Sequence, residues 1–143
     1  MHETATAMVK SPSIDELKAF FAEAFDGGAP DFVALGEGSA SVRLVIGEAH
    51  LRPGGYVSGP TQMSLADTVT YAAIFTRIGI VPMAVTTSLN MSFLRPLITP
   101  VAIAEAKLIK LGRTLAVAEV SLRGEGSKAP ASHAIVTYAL PRD

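Results

Sequence analysis

The chain contains no cysteine. That absence excludes disulfides, a thiolate nucleophile and any zinc site built on cysteine. Charge is scarce as well: 17% of the 143 residues are charged, and the formal net charge is −1. Such a balance gives no basic footprint for nucleic acid or an anionic membrane. No apolar run is long enough to span a bilayer. The uncharged stretch 78–94 is interrupted by Pro82, Thr86, Thr87, Ser88, Asn90 and Ser92. Residues 1–12 lack the apolar core of a signal peptide, so a cytoplasmic protein is expected. Neither a repeat nor a linker divides the chain, and 1–143 reads as one domain. What is plentiful is apolar residues, at 49%, which argues against disorder and for a real core. So little charge on such a chain also suggests surface hidden between subunits.

Two periodicities organise the chain. After a tail over 1–12, Ser13 is a good helix cap, and Asp15 and Glu16 suit the positive end of the helix dipole. Leu17, Phe20, Phe21 and Phe25 recur at helical spacing, which predicts a helix over about 14–25, within 13–26. From Ala40 the period changes to two, and Ala40, Val42, Leu44 and Ile46 predict a half-buried strand. A turn-rich loop, Arg52-Pro53-Gly54-Gly55, precedes a second helix that starts near Ser58-Gly59-Pro60 and runs to about Arg77. Alternation then predicts four strands, at 83–93, 101–109, 115–123 and 132–140. Four strands in succession imply an antiparallel meander with the helix on one face, an α+β fold.

Charge is most uneven around the second helix. Between Arg52 and Arg95 only Asp67 and Arg77 are charged. Asp67 sits mid-helix among Met63, Leu65, Ala66, Val69, Tyr71, Ala72 and Ala73. A helix apolar on most faces is a buried one, and a carboxylate there is costly unless paired or useful. It could serve as a structural carboxylate, pairing with Arg52, or as a catalytic one. The glycine-containing loop before the helix presents free N–H groups at a positive dipole end, a natural cradle for an oxyanion. Gly59 and Asp67 lie about 12 Å apart along the helix axis. One chain cannot readily bring both to one carbonyl. Two antiparallel helices across a dimer axis could.

Residues 53–67, PGGYVSGPTQMSLAD, resemble the active-site segment of hotdog acyl-CoA thioesterases of the phenylacetate-pathway type. The run 85–96, ending in Phe93-Leu94-Arg95-Pro96, resembles that family's central strand. Lys110-Leu111-Gly112-Arg113-Thr114 resembles its next hairpin. The resemblance spans roughly 40–140, with the motifs in the family's order. It implies the hotdog fold: a long central helix wrapped by an antiparallel β-sheet, dimerising through the sheet. It also implies a homodimer, or a homotetramer built from two. Asp67 becomes the nucleophile or general base for hydrolysis of a medium-chain or aromatic acyl-CoA. Gly59 of the other chain polarises the thioester carbonyl through its N–H, and Thr86 orients the attacking water. No metal or other cofactor is called for.

The sequence departs from the family pattern at the substrate. The family His-Gly-Gly is Ser58-Gly59-Pro60, so the Gly59 donor survives while Pro60 cannot donate. Ser58, at the substrate-binding position, reads equally as a helix cap. Arg52 replaces a family Asn or Gln and could face the thioester, Asp67 or solvent. Arg95 and Arg113, with Lys110 and Arg123, could hold CoA phosphates, or each could be a solvated turn charge. His2, His50 and His133 are too scattered for a metal constellation. His50 reads as a bystander, or as a weak match to the histidine of a hotdog dehydratase, and His133 as structural. These departures keep a second reading open, a non-catalytic acyl-CoA or fatty-acyl binding module on the same fold.

Overall fold

The computed structural model describes residues 10–27 and 29–141. Most of the expected tail, residues 1–9, therefore lies outside the described residues. Helix α1 (Ile14–Ala24) starts at a capping box, in which Ser13 Oγ accepts from Glu16 N–H and Glu16 Oε1 accepts from Ser13 N–H. Strands β1 (Asp31–Gly36) and β2 (Ser39–Val45) form a hairpin. A short 3-10 turn (Glu48–His50) and a loop lead to helix α2 (Gly59–Ile78). Strands β3 (Val85–Phe93), β4 (Val101–Leu111), β5 (Leu115–Gly124) and β6 (Ser132–Ala139) complete a six-stranded antiparallel sheet in the order β1-β2-β4-β5-β6-β3. This is the expected architecture, a long helix wrapped by one antiparallel sheet, consistent with the hotdog fold.

Two details differ from the reading of the sequence. Strand β1 was not predicted. Only Phe32 of its six residues is buried, and a register shift between Phe32 and Ala34 breaks the alternation a sequence could show. The four later strands also do not form one meander. β4, β5 and β6 do, but β3 pairs with β6 rather than β4. The segment 94–100, with Pro96 and Pro100, carries the chain from that far edge back to the middle of the sheet. Its carbonyls are used on the way, Leu97 O by Val57 N–H and Pro100 O by Ile46 N–H. α2 is the physical reason: it occupies the inner face, and the sheet closes around it from both sides.

Small side chains make that wrapping close. Ala66, Ala72 and Ala73 of α2 are fully buried, and so are Ala102 and Ala104 of β4 and Ala116 and Ala118 of β5. Thr76 ties the far end of α2 to the first hairpin. Its Oγ1 donates to Ala73 O at 2.7 Å and accepts from Gly38 N–H at 2.8 Å. Gly38 has φ 76°, so the tight turn that delivers its N–H suits glycine. These contacts hold α2 rigidly under the sheet, and its middle turns carry the candidate site.

Candidate functional site

Asp67 lies in the middle of α2, partly exposed, between the fully buried Ala66 and Val69. Its Oδ1 accepts two hydrogen bonds, from Thr86 Oγ1 at 2.6 Å and from Tyr138 OH at 2.8 Å. Tyr138 OH is also 3.1 Å from the Asp67 carbonyl. The sheet register explains why both hydroxyls arrive together. Thr86 and Tyr138 are direct partners across β3 and β6, so their side chains point to the same face, the one toward α2. Oδ2 has no partner among the described residues. One carboxylate oxygen is thus fixed by two donors, while the other is not held.

The Tyr138 phenol is held far above its ordinary pKa, first by burial, against the lowering effect of Thr86 and with the Asp67 charge adding to it. It therefore remains a neutral O–H donor throughout the working range of an enzyme. Beneath it the Tyr71 ring stacks at 5.6 Å between centroids, and Tyr71 OH donates to Pro82 O at 2.7 Å. Burial, then the nearby Asp67 charge, also raises the Tyr71 phenol. Phe20 and Phe21 of α1, with Phe25 just past its end, pack around Tyr71 beside Phe75 of α2 and anchor α1 to α2.

A cavity of about 690 Å³ opens over this group. Asp67, Thr86 and Tyr138 line it, with Phe21 of α1, Phe25 just past its end, Thr61, Ser64, Leu65, Thr68 and Tyr71 of α2, and His50. The volume is in the range of small-molecule sites, and the lining combines apolar walls with a few convergent polar groups. Among the described residues, Asp67 is the single carboxylate that lines the cavity. A second hollow, about 480 Å³, lies on the outer sheet face, where His133 Nε2 sits 2.9 Å from Glu119 and Lys107 is nearby. It contains none of the expected site residues.

The other expected residues lie elsewhere. Ser58 caps α2: its Oγ accepts from Thr61 N–H at 3.3 Å and donates to Thr61 Oγ1 at 2.9 Å. Gly59 is the first helical residue, and its N–H has no acceptor among the described residues, beside a Pro60 that has none to offer. Arg52 does not approach Asp67. Its Nε donates to Pro53 O at 3.0 Å and its guanidinium lies 5.3 Å from the Tyr56 ring centroid. Arg95, at the start of the crossing segment, and Arg113, in the β4–β5 turn, are exposed and away from the cavity. The structure thus brings Asp67 and Thr86 together and leaves Gly59 and Ser58 two turns away.

Tyr138 is the residue the sequence reading missed. The alternation of Ser132, Ala134 and Val136 places it on the inner face, and a buried tyrosine hydroxyl needs a partner. That signal was present but did not name the partner. Tyr138→Phe removes one hydrogen bond to the carboxylate and keeps the ring. Its expected effect is a roughly ten- to hundredfold fall in kcat with little change in KM, the loss typical of a bond to a charged group. Steady-state kinetics beside a melting curve would check it, and a kcat equal to wild type would reduce Tyr138 to packing.

The geometry agrees with what the chain is similar to. Residues 54–131 match the family model described as the thioesterase superfamily. No curated protein matches the chain. Among solved structures, a Silicibacter sp. protein provisionally assigned as a thioesterase shares 40% identity at a TM-score of 0.80, covering 89% of this chain and 90% of that one. A mutant of the phenylacetic acid degradation protein of Thermus thermophilus shares 27% identity at a TM-score of 0.68, covering 78% and 92%. Zebra fish thioesterase superfamily member 2, at 21% identity, a TM-score of 0.81 and coverage of 92% and 100%, shares the fold.

Proposed function

The chain belongs to the thioesterase superfamily, and from that premise we propose that it hydrolyses a medium-chain or aromatic acyl-CoA to the free acid and CoA. The observation that carries the reading is Asp67, which lines a ligand-sized cavity with its Oδ1 held by Thr86 and Tyr138. Oδ2 either attacks the thioester carbon, giving an enzyme-bound anhydride that water cleaves, or takes a proton from the water that attacks. Thr86 and Tyr138 hold the carboxylate so that this oxygen alone is presented. The negative oxygen that develops on the carbonyl needs a donor, and the unengaged Gly59 N–H at the start of α2 suits it. It must come from a second chain, because eight residues of helix separate it from Asp67 in the first.

A homodimer supplies that second chain. β3 is an edge strand, and nearly all its residues are exposed, including Val85 and Phe93. Its free edge is a template for pairing with another copy. The cavity's phenylalanine and tyrosine walls suit an aromatic acyl group, and the similarity to a phenylacetic acid degradation protein supports that substrate range. Arg95 and Arg113, exposed near strand ends, are proposed to meet CoA phosphates. Arg52 and Ser58 are proposed to border the substrate where the family has its amide and histidine.

The test is free-thiol release from a panel of CoA esters with straight, branched and aromatic acyl groups. Turnover is expected on at least one class. Acyl-CoA binding without thiol release from any member would replace this reading with the binding module, for which the loss of an N–H at Pro60 is the motive.

A further inference from the structure

Gln62 is a polar side chain in the core that the chemistry leaves without a role. It stands in the first turn of α2 at 4% exposure. Its Nε2–H donates to the Val57 carbonyl at 3.1 Å, across the junction between loop and helix. Its Oε1 is buried and has no partner among the described residues. A buried oxygen without a donor is costly. An apolar side chain of the same length would fill the space without that cost, so packing alone does not account for an amide here. The donor end of the side chain is the part with a task.

That task lies at the entry to α2. The Val57–Ser58 peptide is held at both ends: Val57 O accepts from Gln62 Nε2–H, its one donor among the described residues, and Ser58 N–H donates to His50 O at 2.9 Å. The Ser58–Gly59 peptide is held at one end only. Its carbonyl, Ser58 O, accepts from the backbone N–H of Gln62 at 3.1 Å. Gln62 therefore grips both carbonyls that precede Gly59, one with its side chain and one with its backbone. The C=O and N–H of a trans peptide point in opposite directions. With Ser58 O turned into the helix, Gly59 N–H is turned out from its start, where it has no acceptor among the described residues. Gly59 cannot supply this constraint itself, because glycine is the most permissive residue about its backbone bonds.

We propose that Gln62 is a positioning residue, whose buried amide fixes the direction in which the Gly59 N–H is presented to the oxyanion. The inference rests on the reading of Gly59 as the oxyanion donor. Removing the amide should then cost rate rather than binding or stability. In Gln62→Met the length of the side chain remains. The unpaired Oε1 disappears while Val57 O loses its donor, two changes of opposite sign for stability.

The experiment is a double-mutant cycle with Gly59→Pro, which removes the N–H itself, read by thiol release and by nitrogen-15 relaxation of the Gly59 amide. Gln62→Met is expected to lower kcat about tenfold, with KM and melting temperature close to those of wild type. In the Gly59→Pro background the same substitution is expected to change kcat by less than about twofold, since no donor is left to aim. In Gln62→Met the Gly59 order parameter is expected to fall from about 0.85, typical of rigid backbone, to about 0.6. No loss of kcat in Gln62→Met, equal losses in both backgrounds, or an unchanged order parameter overturns the proposal. Should Gln62→Met not fold, Gln62→Glu carries the test. Its protonated carboxyl can donate to Val57 O and its ionised form cannot, so its kcat relative to wild type is expected to fall as the pH rises, and a constant ratio overturns the proposal. If Gly59→Pro keeps wild-type kcat, or no ester is hydrolysed, the reading of Gly59 fails, and the order parameter still decides whether Gln62 holds its N–H.

Discussion

Asp67→Asn is expected to lower kcat on the best CoA ester by about a thousandfold or more while leaving the melting temperature close to that of wild type. The substitution preserves shape. The asparagine carbonyl oxygen can accept from Thr86 and Tyr138 as Oδ1 does, and the amide nitrogen takes the place of Oδ2, which has no donor to lose among the described residues. What disappears is the oxygen that attacks or accepts a proton, because an amide is neither a useful nucleophile nor a base. Substrate binding should survive, so the loss belongs to kcat. Activity within a few-fold of wild type would make Asp67 a structural carboxylate, held for the sake of β3 and β6. In the wild type, a single turnover in oxygen-18 water identifies one route. An unlabelled product acid, with the label left in Asp67, requires direct attack and opening of the anhydride at the Asp67 carbonyl.

Asp67 is conspicuous in the sequence because a single carboxylate in the middle of a small-residue, apolar helix violates the pattern around it, and that violation survives folding unchanged. Thr86 is a different case. Nineteen residues separate it from Asp67, and no spacing rule joins them; only the family resemblance singled it out. Tyr138 shows what such a resemblance leaves behind. Its partner is fixed by the register of β6 against β3, which depends on β3 crossing to the far edge of the sheet. A reading that set β3 beside β4 could not have put Thr86 and Tyr138 across from one another. The elements themselves were legible wherever one face is buried, as in α2, β4, β5 and β6. Legibility failed where burial on one face fails, at β1, and where order is set by which face α2 occupies.

The same edge position of β3 makes the second large effect testable. Gly59→Pro should reduce kcat by about a hundredfold, the usual loss for one oxyanion donor. The structure tolerates it. Gly59 N–H makes no bond within the chain among the described residues, and a Cβ there would meet Phe93 Cζ at 3.5 Å, an ordinary contact. Ser58 already has the extended backbone, φ −68° and ψ 153°, that a residue before proline adopts, and proline fits the first position of a helix. The variant should therefore remain folded and dimeric while losing one N–H. Mixing it with Asp67→Asn then asks where each site lies. If Gly59 of one chain serves Asp67 of the other, a mixed dimer holds one intact site, built from the Asp67 of the first variant and the Gly59 of the second. Its other site lacks both groups. After complete subunit exchange half the dimers are mixed, and about one quarter of wild-type activity should return from two nearly inactive proteins. If both groups act within one chain, every site in the mixture remains broken and mixing restores nothing. Recovery needs mixed dimers, so co-purification of the untagged variant with an affinity-tagged partner distinguishes a failure of exchange from a failure of the shared site.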